Sequence, residues 1–346
     1  MIRLQLLWRI PKLLSAARGK CPMSKLLDIF ITHWTEPWDI IRPCMMMLSI
    51  QRRVDWENVG VTIIHDGTAA FPNELMSGFP FTVNQVCLPH GGVSAARNYA
   101  IDNSDATWIK FCDCDDTFAG VYSLSCVMDI LPNSKQYDML WFPFIFDPYY
   151  GNQMVLEGSP VFIHDKVLRR SFLNKTHIRF NENLTFSEDF AFVSLIKMTL
   201  DNIRVGKIDS NFPIYVYNQR PGGVANRNDF WLKNKVGLFD AHCYVEDELM
   251  KHGFTHDSDT MVARAICESY VAVSTANQAI DTTEFVGRVF EYYERNKDRL
   301  QNLNDQDWEY IIEITNEQNH SQITREMVET WIDMNTKGTE DERSDQ

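Results

Sequence analysis

No apolar run in the 346 residues approaches the roughly 18 consecutive positions that a membrane-spanning helix needs. No C-x-x-C pair occurs among the eight cysteines (Cys21, Cys44, Cys87, Cys112, Cys114, Cys126, Cys243, Cys267), and their spacing is irregular. A disulfide framework is therefore not indicated, and the thiols read as reduced and mostly buried, as in a cytoplasmic protein. Cys112 and Cys114 flank an aspartate, but zinc sites separate paired ligands by about two to four residues and need a second pair, which is missing. Positive charge is also scarce: 33 Lys and Arg face 47 Asp and Glu, a formal net charge of -14. That balance argues against nucleic acid as a partner, because phosphate-backbone binding rests on cationic side chains displacing counterions. No internal repeat is visible.

What is present is an ordinary globular composition. With 45% hydrophobic and 23% charged residues the chain can bury a sizeable core, and its 12% aromatic content goes to core and site walls. Residues 1–24 differ. Arg3, Arg9, Lys12, Arg18 and Lys20 face no acidic side chain there, and Arg9 and Pro11 cut the apolar run Leu4 to Trp8 too early for a secretory signal. This extension reads as a disordered leader before Met23-Ser24-Lys25, or as a basic amphipathic helix in peripheral membrane contact through residues 1–22.

From Leu26 to Thr117 short β-type runs alternate with longer helical ones, the pattern of βαβ units and a mostly parallel sheet flanked by helices. The spacing predicts strands at Leu26–Thr32, Val59–His65, Phe81–Val86 and Trp108–Cys112, with helices at Trp38–Gln51 and Val93–Asp102. A helix to Ile130 follows, then extended pieces at Asp138–Pro143, Met154–Leu156 and Val161–His164, a helix at Phe190–Leu200 and a strand at Phe212–Tyr217. From Asp229 onward apolar residues recur at helical spacing. The expected organisation is an α/β domain over 25–225, a helical region over 226–336 and a polar tail over 337–346.

An open parallel sheet binds its ligand beyond the carboxyl ends of its strands. Those ends are Thr32-His33-Trp34, Asp66-Gly67 and Asp113-Cys114-Asp115-Asp116, polar clusters on three separate strands. Carboxylates at the mouth of a buried strand are costly unless a cation or hydrogen bonds meet them. Aspartates at i and i+2 suit a hard divalent ion, Mn²⁺ or Mg²⁺, completed by substrate phosphate oxygens. The plainer alternative is a solvated acidic turn capping the next helix.

Four landmarks stand in order between Leu26 and Ala225: Thr32-His33-Trp34 with His65-Asp66-Gly67-Thr68; Gly91-Gly92-Val93-Ser94-Ala95-Ala96-Arg97-Asn98; the D-x-D-D at 113–116; and Phe180 to Asp189, ending in Glu188-Asp189. In that order and spacing the sequence resembles family 2 glycosyltransferases, which have the GT-A fold, a Rossmann-like, mostly parallel sheet flanked by helices. His65 departs from the resemblance, standing where the family often has an acidic residue, and so does Gly222-Gly223 after Arg220-Pro221, where it often has Gly-Ser.

The resemblance implies inverting, hexosyltransferase-type transfer of a sugar from a nucleotide-sugar, UDP-sugar first, to an acceptor hydroxyl. Asp115 is then the first metal ligand, with Asp113 holding the metal, its water or the donor ribose, and Asp116 supporting them or capping a helix. Arg97 is expected at the diphosphate, or else in a surface ion pair. Thr32 and Trp34 wall the base pocket. Asp66 accepts from base or ribose, or simply forms a turn with Gly67. Asp189 is the candidate base for the acceptor hydroxyl, with Glu188 orienting it; two close carboxylates raise one pKa, which suits a base near neutral pH. The same pair would also favour a helix N-terminus. Tyr215, Tyr217, Arg220 and Pro221-Gly222-Gly223 read as a loop closing over the donor, or as an ordinary turn.

Two other classes use similar parts. A sugar-nucleotide nucleotidyltransferase carries a glycine-rich basic loop after its first strand, where this chain has Thr32-His33-Trp34-Thr35-Glu36-Pro37. An inactive sugar- or nucleotide-binding protein of the same fold has no need of Asp115, Glu188 and Asp189 together. The acceptor is open among a glycan, a lipid-linked sugar and a protein.

Overall fold

Strand β1 (Leu27–His33) is buried at every position but one, as befits a parallel strand covered by helices on both faces. In the computed structural model, which describes residues 24–148, 153–198, 203–208, 213–219 and 230–344, it pairs in parallel with β2 (Val59–Asp66) and β4 (Trp108–Asp113). Strand β3 (Val83–Leu88) continues the sheet beyond β2, again in parallel. Helices α1 (Trp38–Ser49), α2 (Asn73–Met76) and α3 (Gly92–Asn103) occupy the connections. The chain then forms β5 (Thr117–Phe118), α4 (Ser123–Ile130), β6 (Met139–Trp141), β7 (Phe144–Asp147), β8 (Met154–Leu156), β9 (Lys166–Arg169), α5 (Arg170–Thr176), α6 (Glu188–Met198), β10 (Val205–Lys207) and β11 (Tyr215–Asn218).

Seven strands make one sheet in the order β10-β6-β9-β4-β1-β2-β3, and β5-β11-β7-β8 make a second. In the large sheet β9 alone runs antiparallel to its neighbours. The two faces of that sheet are covered differently. Ile29, Ile31 and Ile63 point toward Ile41, Cys44 and Leu48 of α1 and Val127 of α4. Phe30, Ile64, Ile109 and Phe111 point toward Ala96 and Ala100 of α3, Phe172 of α5 and Phe192 of α6. The alternation follows from the two-residue side-chain period of a strand.

Helices α7 (Phe230–Lys251), α8 (Thr255–Thr275), α9 (Thr283–Leu300), α10 (Asp305–Asn319) and α11 (Arg325–Ser344) form the C-terminal helical region. It has its own core, including Val262, Ile266, Val289, Trp308, Ile311 and Val328. A smaller cluster joins it to the sheet: Phe190, Ala191 and Leu195 of α6 meet Ala241, Val245 and Leu249 of α7 and Met261 of α8. Among the described residues no helix is long and apolar enough to cross a membrane.

Three expectations need correction. The extended piece at Val161–His164 is a loop, and the strand begins at Lys166 instead. Lys166 interrupts the apolar pattern yet is buried, because its Nζ donates to Asp165 Oδ1 and Ser159 O, each at 2.7 Å. The strand expected at Asp138–Pro143 is β6, which stops at Trp141; β7 begins beyond that range, at Phe144, and belongs to the other sheet. Helix α11 continues to Ser344 through the segment expected as a tail, whose Lys, Glu and Arg residues are good helix formers. The basic extension 1–22 lies outside the described residues.

Candidate active site

The carboxyl ends of β1, β2 and β4 are in register. Thr32 pairs with both Ile64 and Asp113, and His33 with His65. That places the three polar strand ends side by side on one wall of a cavity of about 1570 Å³. Thr32, Trp34, Asp66, Arg97, Asp113, Asp115, Glu188 and Asp189 all line it. Arg220 and Pro221-Gly222-Gly223 lie outside the described residues.

The D-x-D-D turn is fastened from behind. The Asp113 N–H donates to Tyr215 Oη at 3.0 Å, and that hydroxyl donates to Asp116 Oδ2 at 2.7 Å. The backbone N–H of Asn218 donates to Asp116 Oδ1 at 2.7 Å, and its side chain to the Asp115 carbonyl at 3.2 Å. Asp116 is fully buried, and burial with Asp113 and Asp115 nearby pushes its carboxyl well up. It therefore anchors the turn to β11, which leaves Asp113 and Asp115 as the carboxylates facing the cavity. Cys112 and Cys114 are buried free thiols, the former 3.6 Å from Cys44 Sγ.

Arg97 lines the cavity, but not as a surface ion pair. Its side chain is only 3% exposed, and its guanidinium is met by three carboxylates. Nη2 donates to Asp113 Oδ1 at 3.1 Å, while Nη1 donates to Glu188 Oε1 at 2.9 Å and Asp189 Oδ1 at 2.5 Å. Burial disfavours its charge, but Asp189, Asp113 and Glu188 outweigh that, and its pKa is raised. Thr32 Oγ1 donates to the same Asp113 oxygen at 3.0 Å, so Thr32 positions Asp113 as well as walling the cavity.

Glu188 and Asp189 open α6, where the helix dipole favours negative charge. The second oxygen of Asp189 accepts from the Ile163 N–H at 3.1 Å. Burial pushes the Asp189 carboxyl up; Arg97 opposes the rise, Glu188 and Asp113 add to it, and the result is about 7. A carboxylate titrating there can take a proton near neutral pH.

Asp66 lines the cavity and is held at the start of α3. Its Oδ1 accepts from the Gly91 N–H at 2.7 Å, and its Oδ2 from the Gly92 N–H at 2.9 Å and from His90 Nδ1 at 2.8 Å. It thus satisfies the otherwise unpaired N–H groups at the start of α3. Gly67, at φ +77°, is required here as more than a turn former, since a Cβ would stand 2.6 Å from His90 Cβ. His90 was not anticipated from the sequence, although it directly precedes the Gly91-Gly92 landmark. Its ring stacks on half-exposed Trp34 with centroids 5.4 Å apart and an interplanar angle of 15°, giving the cavity mouth a flat aromatic wall. His65 is buried, 2.8 Å from His33 Nδ1 and 2.9 Å from Gln85 Oε1, and ties the ends of β1, β2 and β3 together.

Asn98 was another unanticipated contributor. It donates to Phe180 O and Glu182 Oε1, each at 2.9 Å, and accepts from the Phe180 N–H at 2.8 Å. The Arg97-Asn98 pair of α3 thereby locks onto the 180–189 segment through both side chains.

The residues fit a divalent ion in one way only. Among the described residues no group of three or more His, Cys, Asp and Glu could hold a metal. Asp113 and Asp115 instead offer a hard, two-carboxylate set, which suits Mg²⁺ or Mn²⁺ when phosphate oxygens and water complete the coordination.

No family model and no curated protein sequence matches this chain. Solved structures do. S. aureus TarS 1-349 is similar with a TM-score of 0.58 at 12% identity, over 83% of this chain and 83% of that one. Its complex with UDP-GlcNAc gives 0.60 at 14% identity, over 83% and 84%. A longer S. aureus TarS structure gives 0.57 at 13% identity over 82% of this chain, which spans only 50% of that one. At such identities the likeness establishes the fold: the chain has the GT-A architecture, with a mostly parallel central sheet flanked by helices and a C-terminal helical region.

Proposed function

We propose that the chain is an inverting, hexosyltransferase-type glycosyltransferase of the family 2 kind, moving a sugar from a nucleotide-sugar, with UDP-sugars as first candidates, to an acceptor hydroxyl. The carrying observation is that Asp113 and Asp189 grip opposite nitrogens of one buried guanidinium while facing one cavity. This sets a fixed relation between the donor end of the site and a carboxylate able to act as base. UDP is favoured as the first nucleotide to test because the structurally similar S. aureus TarS 1-349 is known in complex with UDP-GlcNAc.

In this reading Trp34 and His90 stack against the base. A divalent ion held by Asp115 and Asp113 supplies charge neutralisation at the departing diphosphate. Asp189 accepts the acceptor's hydroxyl proton as that oxygen bonds to the anomeric carbon and the bond to the diphosphate breaks. Arg97 and Glu188 hold Asp189 in place, and Arg97 keeps part of its population ionised. Residues 25–225 form the donor-binding unit, and residues 226–336 contribute the wall on the acceptor side, where Lys235, Asp240 and Glu268 line the cavity. The scattered thiols favour a cytoplasmic location.

The purified protein with Mn²⁺ should release UDP slowly from at least one UDP-sugar, and Asp115→Asn should abolish both release and metal-dependent UDP binding. A full donor panel without hydrolysis or metal-dependent nucleotide binding overturns the proposal. Pyrophosphate as the product would transfer the chain to the nucleotidyltransferases.

A further inference from the structure

We infer that helix α7 is a positioning element for the base: through Gly237 it seats the turn that carries Glu188 and Asp189. The inference rests on the glycosyltransferase reading above and gives the helical region a part in the chemical step.

Gly237 lies in the middle of a 22-residue helix, where glycine weakens the helix. Its surroundings explain why it is tolerated. A Cβ there would stand 2.5 Å from Phe186 Cβ, 3.3 Å from its Cγ and 3.4 Å from its Cα. The atoms approached are at the root of the side chain, so rotating the Phe186 ring would not relieve the clash. Phe186 would have to move with its backbone.

That backbone leads straight into the site. Ser187 follows with φ +59°, a left-handed conformation costly for a residue with a Cβ, and Glu188 and Asp189 come next. Such a conformation persists where its surroundings over-determine it. On one side the segment is held by α3, through Arg97 to Glu188 and Asp189 and through Asn98 to Phe180. On the other it rests on α7, whose Gly237, Ala241, Val245 and Leu249 recur every four residues and so share one face. Ala241, Val245 and Leu249 of that face pack on Phe190, Ala191 and Leu195, the residues just after the carboxylate pair. The Phe190 ring meets His242 with centroids 4.5 Å apart. A side chain at 237 would therefore push on the turn at the point where its displacement misaligns Asp189 against the Ile163 N–H and Arg97.

Gly237→Ala should lower kcat for donor hydrolysis and transfer at least tenfold, while the Kd for UDP with Mn²⁺ stays within about twofold. General destabilisation would not give that split. In a Phe186→Gly background, where the clashing Cβ is gone, the same Gly237→Ala change should cost less than twofold in kcat. Equal kcat for Gly237→Ala and wild type overturns the inference alone, and so do losses that multiply in the double variant. If Gly237→Ala does not fold, the double variant decides: activity equal to Phe186→Gly supports the inference, and failure to fold or lower activity overturns it. A wild type without donor hydrolysis overturns the functional reading, and this inference with it.

Discussion

Replacing Arg97 by methionine removes the cation that stands between three carboxylates and so tests how the site sets the ionisation of its base. In the intact protein burial brings Asp189 to about 7 despite the guanidinium 2.5 Å away. A neighbouring cation ordinarily lowers a carboxylate by about one to three pH units, so its loss should move Asp189 up by a similar amount. Taking about two units, the ionised fraction at pH 7 falls from about one half to about one hundredth, a loss of roughly fiftyfold in rate from ionisation alone. The loss should be largely recovered as pH rises toward the new value. The assay is the pH dependence of kcat between pH 5.5 and 9.5 at saturating donor, which removes the effect of the lost Asp113 contact on donor affinity. Arg97→Lys should move the acidic limb less than Arg97→Met, because it keeps a charge.

Stability should follow the same sign. The folded-state value for Asp189 lies above its unfolded one, so its contribution to stability is fully present below about pH 4 and is lost as pH rises through about 7. In Arg97→Met that loss should extend further into the alkaline range, so the variant's melting temperature should fall more steeply with pH than that of wild type. An acidic limb that stays in place, or moves to lower pH, would refute this account of the base.

Trp34→Ala should weaken UDP binding about 5- to 150-fold, the range expected for losing about 1–3 kcal/mol of base–aromatic stacking. Calorimetric titration with Mn²⁺ checks it, and an unchanged Kd would remove Trp34 and His90 from the base pocket. Asp66→Ala leaves the N–H groups of exposed Gly91 and half-buried Gly92 without their acceptor and should cost about 0.5–2 kcal/mol, as the loss of a helix N-terminal acceptor does. Urea unfolding would show it as a lower midpoint at unchanged slope, and an unchanged midpoint would mean that the start of α3 is held by something else.

The sequence by itself carried the elements whose environment is uniform. Strands β1, β2 and β4 were readable because both faces of the sheet are covered, so their residues are apolar almost without interruption. The acidic turn at 113–116 was readable as a strand end because three aspartates within four residues follow a mostly apolar strand, although Asp116 among them is itself buried. The helical character beyond Asp229 followed from spacing alone. The boundaries at β6, β7 and β9 did not, since a buried Lys166 satisfied by Asp165 and by backbone carbonyls looks in sequence like a surface residue.

Only the tertiary structure decided which side chains meet. Arg97 binds carboxylates 16, 91 and 92 residues away, and no local pattern states that its fork turns inward to them rather than outward to a phosphate. Asp66 was legible from sequence as a ligand-binding residue or a turn former, and the placement of α3 against β2 gave its oxygens to Gly91, Gly92 and His90. Gly237 carried no signal at all until α7 was seen lying against Phe186. Periodicity records whether a residue is covered; partner choice depends on the packing of segments far apart in the chain, which short-range sequence cannot encode.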